Sequence, residues 1–64
     1  MPITLKAARV NVGLTQQEAA EALNITRATI ANYETGRTSP DMVTAQKMAT
    51  LYKTTVDNLN FSAN

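Results

Sequence analysis

The fold of this protein depends on segment 14–36, LTQQEAAEALNITRATIANYETG, which contains two short helical patterns separated by LNIT. Asn24 tolerates a left-handed conformation better than most residues, so it can end the first of these helices. Thr26 can then cap a second helix. One continuous helix would carry a stop signal and a start signal side by side in its interior. The sequence therefore predicts two short helices joined by a tight turn.

The first of these two helices has its own start signal. Thr15 followed by Glu18 matches a capping box, in which the hydroxyl and the carboxylate each bind a backbone N–H. A narrow apolar face follows, and it consists of Ala19, Ala20, Ala22 and Leu23. Because alanine has little bulk, a neighbouring helix can approach this face closely.

Three further helices are predicted around this pair. Thr4 can cap a first helix that ends at Gly13, and its apolar stripe consists of Leu5, Ala8 and Val12. Ser39 can cap a fourth helix with Pro40 at its first position and Asp41 in its first turn. Its buried stripe consists of Met42, Ala45, Met48, Ala49 and Tyr52. Thr55 can cap a last short helix that carries Val56, Leu59 and Phe61.

No segment has the alternation typical of a strand, so we expect an all-α fold of five helices in one domain, residues 1–64. The chain has no cysteine and no histidine, and its five acidic residues are scattered. Thiol nucleophiles, disulfides and the usual metal ligands are therefore missing. We expect a protein that is not an enzyme and that needs no metal or other cofactor.

The location of the protein can also be predicted. No apolar run approaches the roughly 18 residues that a membrane helix needs. The N-terminus, MPITLKAARV, lacks the charged start and apolar stretch of a signal peptide. We therefore expect a soluble cytoplasmic protein. A net charge of +1 does not decide whether the partner is a polyanion, so the position of each basic residue matters more.

The outer face of the third helix is the candidate binding surface. With Ile30 facing the core, Ala28 and Asn32 lie on the opposite side, and Arg27 lies on the flank of the first turn. Arginine can bind guanine, asparagine can bind adenine, and an alanine methyl can contact the thymine methyl. These three residues alone favour a solvated helix face over a base-reading surface, so the case for DNA depends on the surrounding architecture.

The ordered segment GLTQQEAAEALNITRATIANYETGRTSPD resembles the helix-turn-helix of the Cro and phage-repressor (XRE-like) family of DNA-binding proteins. The resemblance implies a lambda-repressor-like domain whose second helix crosses the DNA backbone and whose third helix enters the major groove. It assigns base contacts to Arg27, Ala28 and Asn32. It assigns phosphate contacts to Gln16, Thr26, Arg37 and Thr38. The alternative for Gln16 is a helix-forming role, and the alternative for Arg37 is a solvated charge.

The sequence departs from that family at three positions. Asn24 stands where glycine is usual, and Ala19 replaces a common leucine. Lys53 stands where glycine or asparagine often ends the fourth helix, which puts the local turn geometry in doubt.

Two charged residues are expected to pair. Glu34 lies on the inward face of the third helix, near a C-terminus whose dipole disfavours an acid. Arg9 lies on the inner stripe of the first helix. Because buried charges need partners, we predict an ion pair between Arg9 and Glu34 with a structural role. The resembled family has such a pair at matching positions.

The resulting functional prediction is a sequence-specific transcriptional regulator that acts by occupying an operator on double-stranded DNA. A short recognition helix reads few base pairs, so we expect a homodimer on a pseudo-palindromic site. The expected dimer surface lies around Val56, Leu59 and Phe61. We expect no second domain, so the chain resembles a Cro-like regulator more than a full repressor with an attached oligomerisation domain. The alternative is a protein-interaction adaptor or an antitoxin with the same fold.

Overall fold

Four α-helices make up most of residues 2–61, the part of the chain that this computed structural model describes. The helices are α1 (Leu5–Asn11), α2 (Gln16–Leu23), α3 (Arg27–Glu34) and α4 (Met42–Leu51). A single 3-10 turn covers Val56–Asn58, and two short strands are β1 (Ile3–Thr4) and β2 (Leu59–Asn60). Within this range, no helix is long and apolar enough to cross a membrane.

The predicted start signals of α1 and α2 are confirmed. Thr4 Oγ1 accepts a hydrogen bond from the Ala7 N–H at 3.0 Å. At α2 the capping box is complete, because Thr15 Oγ1 accepts from the Glu18 N–H at 3.0 Å and Glu18 Oε1 accepts from the Thr15 N–H at 2.9 Å. Gly13, between the two helices, has a φ of +77°, the left-handed conformation expected of it.

The predicted break between α2 and α3 is also confirmed. Asn24 adopts φ +59° and ψ +41°, and the following Ile25 N–H donates back to the Ala20 carbonyl at 2.9 Å. This bond satisfies a carbonyl at the end of α2. Thr26 then caps α3, with its Oγ1 accepting from the Thr29 N–H at 3.1 Å. The segment is therefore two helices joined by a tight turn.

The predicted all-α class is supported, because residues 2–61 are mostly helical, but the count of five helices is not confirmed and two short strands are present. The last predicted helix is only the three-residue 3-10 turn, and Thr55 makes no side-chain capping bond there. The chain then extends as β2 and pairs with β1 in parallel, with Ile3 opposite Leu59 and Thr4 opposite Asn60. This pairing joins distant parts of the chain, so no local pattern indicates it.

The predicted start of α4 is wrong by two residues. Asp41, not Ser39, is the N-cap, and its Oδ1 accepts from the Thr44 N–H at 2.8 Å. This backbone bond and a side-chain bond from Thr44 lower the pKa of Asp41. Pro40 consequently precedes the helix. Met42, the first helical residue, is 62% exposed and does not belong to the buried stripe, whose other predicted members are buried.

The core lies where the helices meet the strand pair, and α2 packs mainly against α3. Its buried residues are Leu5, Ala8, Ala19, Ala20, Ile30, Met48, Ala49, Tyr52 and Leu59. Leu59 belongs to this core and is only 5% exposed, so it does not contribute to the expected dimer surface. Val56 and Phe61 are half-buried and pack against the same core.

Lys53 adopts φ +59°, the conformation that glycine or asparagine would favour there. The following Thr54 N–H donates to the Ala49 carbonyl at 2.9 Å, so the chain turns at the end of α4 despite the unusual residue. The departure at this position therefore leaves the turn in place and adds local strain.

Candidate nucleic-acid interface

The first turn of α3 exposes two of the three residues predicted to contact bases. Arg27 and Ala28 are exposed, whereas Ile30, which faces the core, is fully buried. Asn32, the third predicted residue, is half-buried. The carbonyl of Asn32 accepts hydrogen bonds from the Arg37 N–H at 3.0 Å and the Thr38 N–H at 3.4 Å. Asn32 thus connects α3 to the loop that follows it.

That loop carries two of the predicted phosphate-contacting residues. Arg37 and Thr38 are both exposed, and they follow Gly36, which has a φ of +76°. Their backbone N–H groups are bound to α3, which fixes the path of the loop. Their side chains therefore project from an anchored backbone.

Thr26 has an exposed side chain whose hydroxyl is already in use. Its Oγ1 accepts from the Thr29 N–H, and it lies 2.8 Å from Thr29 Oγ1, with either oxygen able to donate. If Thr29 donates, the Thr26 hydrogen remains free for another acceptor such as a phosphate oxygen.

Gln16 is half-buried and bound to a distant residue. Its Nε2 donates to Glu34 Oε1 at 3.1 Å, across 18 positions of sequence. The family resemblance implied that Gln16 lies at the start of α2, near a phosphate and the recognition helix, but it did not name Glu34 as the partner. The structure thus connects the start of α2 to the end of α3.

Arg9 and Glu34 form a buried ion pair beside Gln16. Arg9 Nε donates to Glu34 Oε2 at 2.6 Å and Nη2 donates to Oε1 at 3.2 Å, while Nη1 donates to the Leu14 carbonyl at 2.7 Å. The two side chains are 9% and 4% exposed. The hydrogen bond to Glu34 raises the pKa of Arg9, against the opposing effect of burial. The one acid of α3 is therefore turned inward and neutralised, away from the exposed first turn.

The arrangement of α2, a three-residue turn and α3 matches a known family. A helix-turn-helix family model covers residues 5–59 of this chain. The chain belongs to the helix-turn-helix family of the Cro and phage-repressor type. In helix-turn-helix terms, α2 is the first helix of the motif and α3 is the recognition helix.

Two relatives share this helix-turn-helix unit. The HTH-type transcriptional regulator ImmR of Bacillus subtilis (strain 168) is 46% identical over 55 residues, which are 86% of this chain and 43% of ImmR. An uncharacterized HTH-type transcriptional regulator of Methanothermobacter thermautotrophicus is 41% identical over 49 residues, 77% of this chain and 71% of that protein. The chain thus spans less than half of the length of ImmR. No solved structure matches the chain significantly.

Proposed function

We propose that this chain is a sequence-specific DNA-binding transcriptional regulator that places α3 in the major groove of its operator. The observation that carries the proposal is the exposed first turn of α3, with Arg27 and Ala28 outward and Glu34 neutralised inside by Arg9. An uncompensated negative charge on this helix would repel DNA, and the ion pair with Arg9 balances the charge of Glu34. Membership of the helix-turn-helix family and the names of the two relatives support the same function.

Base recognition is assigned to three residues of α3. Arg27, in the first turn, has the length and the donors to bind guanine, and Ala28 beside it offers a methyl group to thymine. Asn32 lies one turn further and is half-buried, so its amide reaches an adenine edge only if the helix lies deep in the groove. We therefore expect Arg27 to contribute most to sequence preference.

Phosphate contacts are assigned to residues at the two ends of the recognition unit. Gln16 and Thr26 lie at the N-terminal ends of α2 and α3, where backbone N–H groups and the helix dipole favour an anion. Arg37 and Thr38 approach the backbone from the anchored loop after α3. These contacts position the protein on DNA and carry no sequence information.

The proposed regulator binds as a homodimer, in the cytoplasm, to a pseudo-palindromic operator and represses by occupying it. Because α3 has only eight residues, one copy reads too few base pairs for useful specificity. Two copies on half-sites about one helical turn apart double the readout. Val56 and Phe61, which are half-buried at the edge of the core, remain candidates for the dimer surface.

Selection of bound duplexes from a random DNA pool tests this function. We expect an enriched motif with two-fold symmetry, and we expect Arg27→Ala to abolish or change the motif. Lys6→Ala is the matched control, since Lys6 is an exposed cation on α1, outside the recognition unit. Enrichment of an asymmetric motif would contradict the homodimer, and no enrichment at all would contradict the DNA-binding function.

A further inference from the structure

Gln16 is held by the buried ion pair rather than by its own helix. Its Nε2 donates to Glu34 Oε1, and the same oxygen accepts from Arg9 Nη2. The other carboxylate oxygen is bound by Arg9 Nε, so Glu34 cannot turn away without breaking the ion pair. The orientation of the Gln16 side chain is therefore set by residues of two other helices.

The bond to Glu34 does not use up the Gln16 amide. Its nitrogen carries two hydrogens, and one hydrogen bond occupies one of them. Gln16 is the first residue of α2, next to the cap Thr15, where backbone N–H groups of the first turn lack partners within the helix. The Gln16 amide therefore has a fixed orientation and one N–H that is still able to donate, and it lies at the N-terminal end of α2.

We propose that Glu34 is a positioning residue for DNA binding and acts through Gln16. This inference rests on the proposed function, in which Gln16 meets a phosphate. A carboxylate is a strong acceptor, so it keeps the amide in one orientation before DNA arrives. The entropy of ordering this long side chain is then lost on folding rather than on binding. Glu34 itself, buried and paired, does not touch DNA.

A second glutamine–glutamate pair, which lies entirely within α2, offers a matched control. Gln17 Nε2 donates to Glu21 Oε2 at 3.0 Å, so the residue types and the bond length match those of Gln16 and Glu34. This pair, however, is exposed and lies within one helix. Exposed pairs of this kind hold their side chains weakly. Gln17 and Glu21 should therefore show no coupling in DNA binding.

A double-mutant cycle on DNA affinity tests the proposal. Wild type, Gln16→Ala, Glu34→Gln and the double variant are titrated against the selected duplex and a scrambled duplex, at a temperature where circular dichroism shows each protein folded. We expect Glu34→Gln to weaken binding by about 2- to 10-fold, the range for ordering one long side chain. The loss should be similar on both duplexes because phosphate contacts are independent of sequence.

The decisive comparison is the effect of Glu34→Gln in the Gln16→Ala background, where we expect no further loss. Additive losses with normal wild-type binding would overturn the positioning role and leave the proposed function intact. A wild-type protein that binds neither duplex would overturn the proposed function and this inference with it. The Gln17→Ala and Glu21→Gln cycle should be additive.

A measurement on the wild-type protein without DNA tests the proposal even if the Glu34 variants do not fold. 15N relaxation of the side-chain amides should show Gln16 nearly as ordered as the backbone of α2, and the exposed Gln46 should be mobile. Equal mobility of Gln16 and Gln46 would overturn the proposal, because a freely moving amide is not positioned by Glu34.

Discussion

Arg9 and Glu34 lie 25 positions apart in the sequence, and in the folded chain Arg9 Nε contacts Glu34 Oε2 at 2.6 Å. A further bond from Arg9 to the Leu14 carbonyl extends the contact to the segment before α2. The pair thereby holds the C-terminal end of α3 against α1 while the first turn of α3 stays exposed. The stability of the fold therefore depends on this contact between α1 and α3.

Loss of either Arg9 or Glu34 should lower the stability of the fold. We expect Arg9→Ala and Glu34→Ala each to lower the free energy of unfolding by about 3 kcal/mol, because the remaining charge stays buried without a partner. Replacement of both residues, as Arg9→Met with Glu34→Leu, should be less harmful than either single alanine. Urea and thermal unfolding measure these differences. Single variants within a few tenths of a kcal/mol of wild type would show that the pair is dispensable.

Tyr52 should make stability depend on pH in the alkaline range. Burial raises its pKa to about 12, with a smaller contribution from the negative charge of Glu34 and an opposing one from Arg9. The unfolded tyrosine ionises near pH 10, so between about pH 10 and 12 the unfolded state holds fewer protons than the folded state. Stability should therefore fall as the pH rises through this range, by at most about 1.4 kcal/mol per pH unit.

Tyr52→Phe is the control for this pH dependence. Among residues 2–61 no group bonds the buried Tyr52 hydroxyl, so its removal breaks no hydrogen bond and should raise stability at pH 7 by about 1 kcal/mol. Tyr52→Phe should lose less stability than wild type as the pH rises from about 10 to 12, because ionisation of Tyr52 no longer contributes. Identical alkaline unfolding curves of wild type and Tyr52→Phe would assign the loss to other groups.

Arg27 and Arg37 should differ in what they contribute to DNA binding. Arg27→Ala should cost about 1 to 3 kcal/mol on the selected site and relax the preference at one base position. Arg37→Ala should weaken binding to all sequences similarly and reduce the slope of log affinity against log salt by about one. Both variants are titrated against selected and scrambled duplexes at several salt concentrations. Equal losses on both duplexes for Arg27→Ala would reassign Arg27 to the phosphate backbone.

Lys53→Gly should stabilise the protein. Lys53 has φ +59°, a conformation that costs an ordinary side chain about 1 kcal/mol and costs glycine little. Asn24→Gly is the matched control, since Asn24 has the same φ but tolerates it better. We expect denaturant unfolding to show a gain of about 1 kcal/mol for Lys53→Gly and a smaller change for Asn24→Gly. A loss of stability in Lys53→Gly would mean that the lysine side chain makes a compensating contact.

The candidate site could be predicted only in part. The polar outer residues of α3 follow from helical spacing around Ile30, and Arg27 and Ala28 are indeed exposed. The bond between Gln16 and Glu34 could not be predicted, because it depends on how α2 and α3 pack. Spacing along one helix reports which residues share a face, and it does not report which faces meet.

The sequence by itself determined where the first three helices begin and where α2 ends. Thr4, Thr15, Thr26 and Asn24 act through hydrogen bonds or backbone preferences within a few residues, and such local interactions are present in the sequence pattern. The need for an Arg9 partner also followed from local information, since a charge on an inward stripe must be neutralised.

Only the tertiary structure decided the remaining features. At α4, the sequence pattern predicted Ser39 as the cap with Asp41 inside the first turn, whereas the helix begins after Asp41 and Met42 is exposed. The pairing of Ile3 with Leu59 required the two parts of the chain to meet over a finished core. Such contacts depend on packing between distant segments, and packing is a property of the whole chain that no short pattern contains.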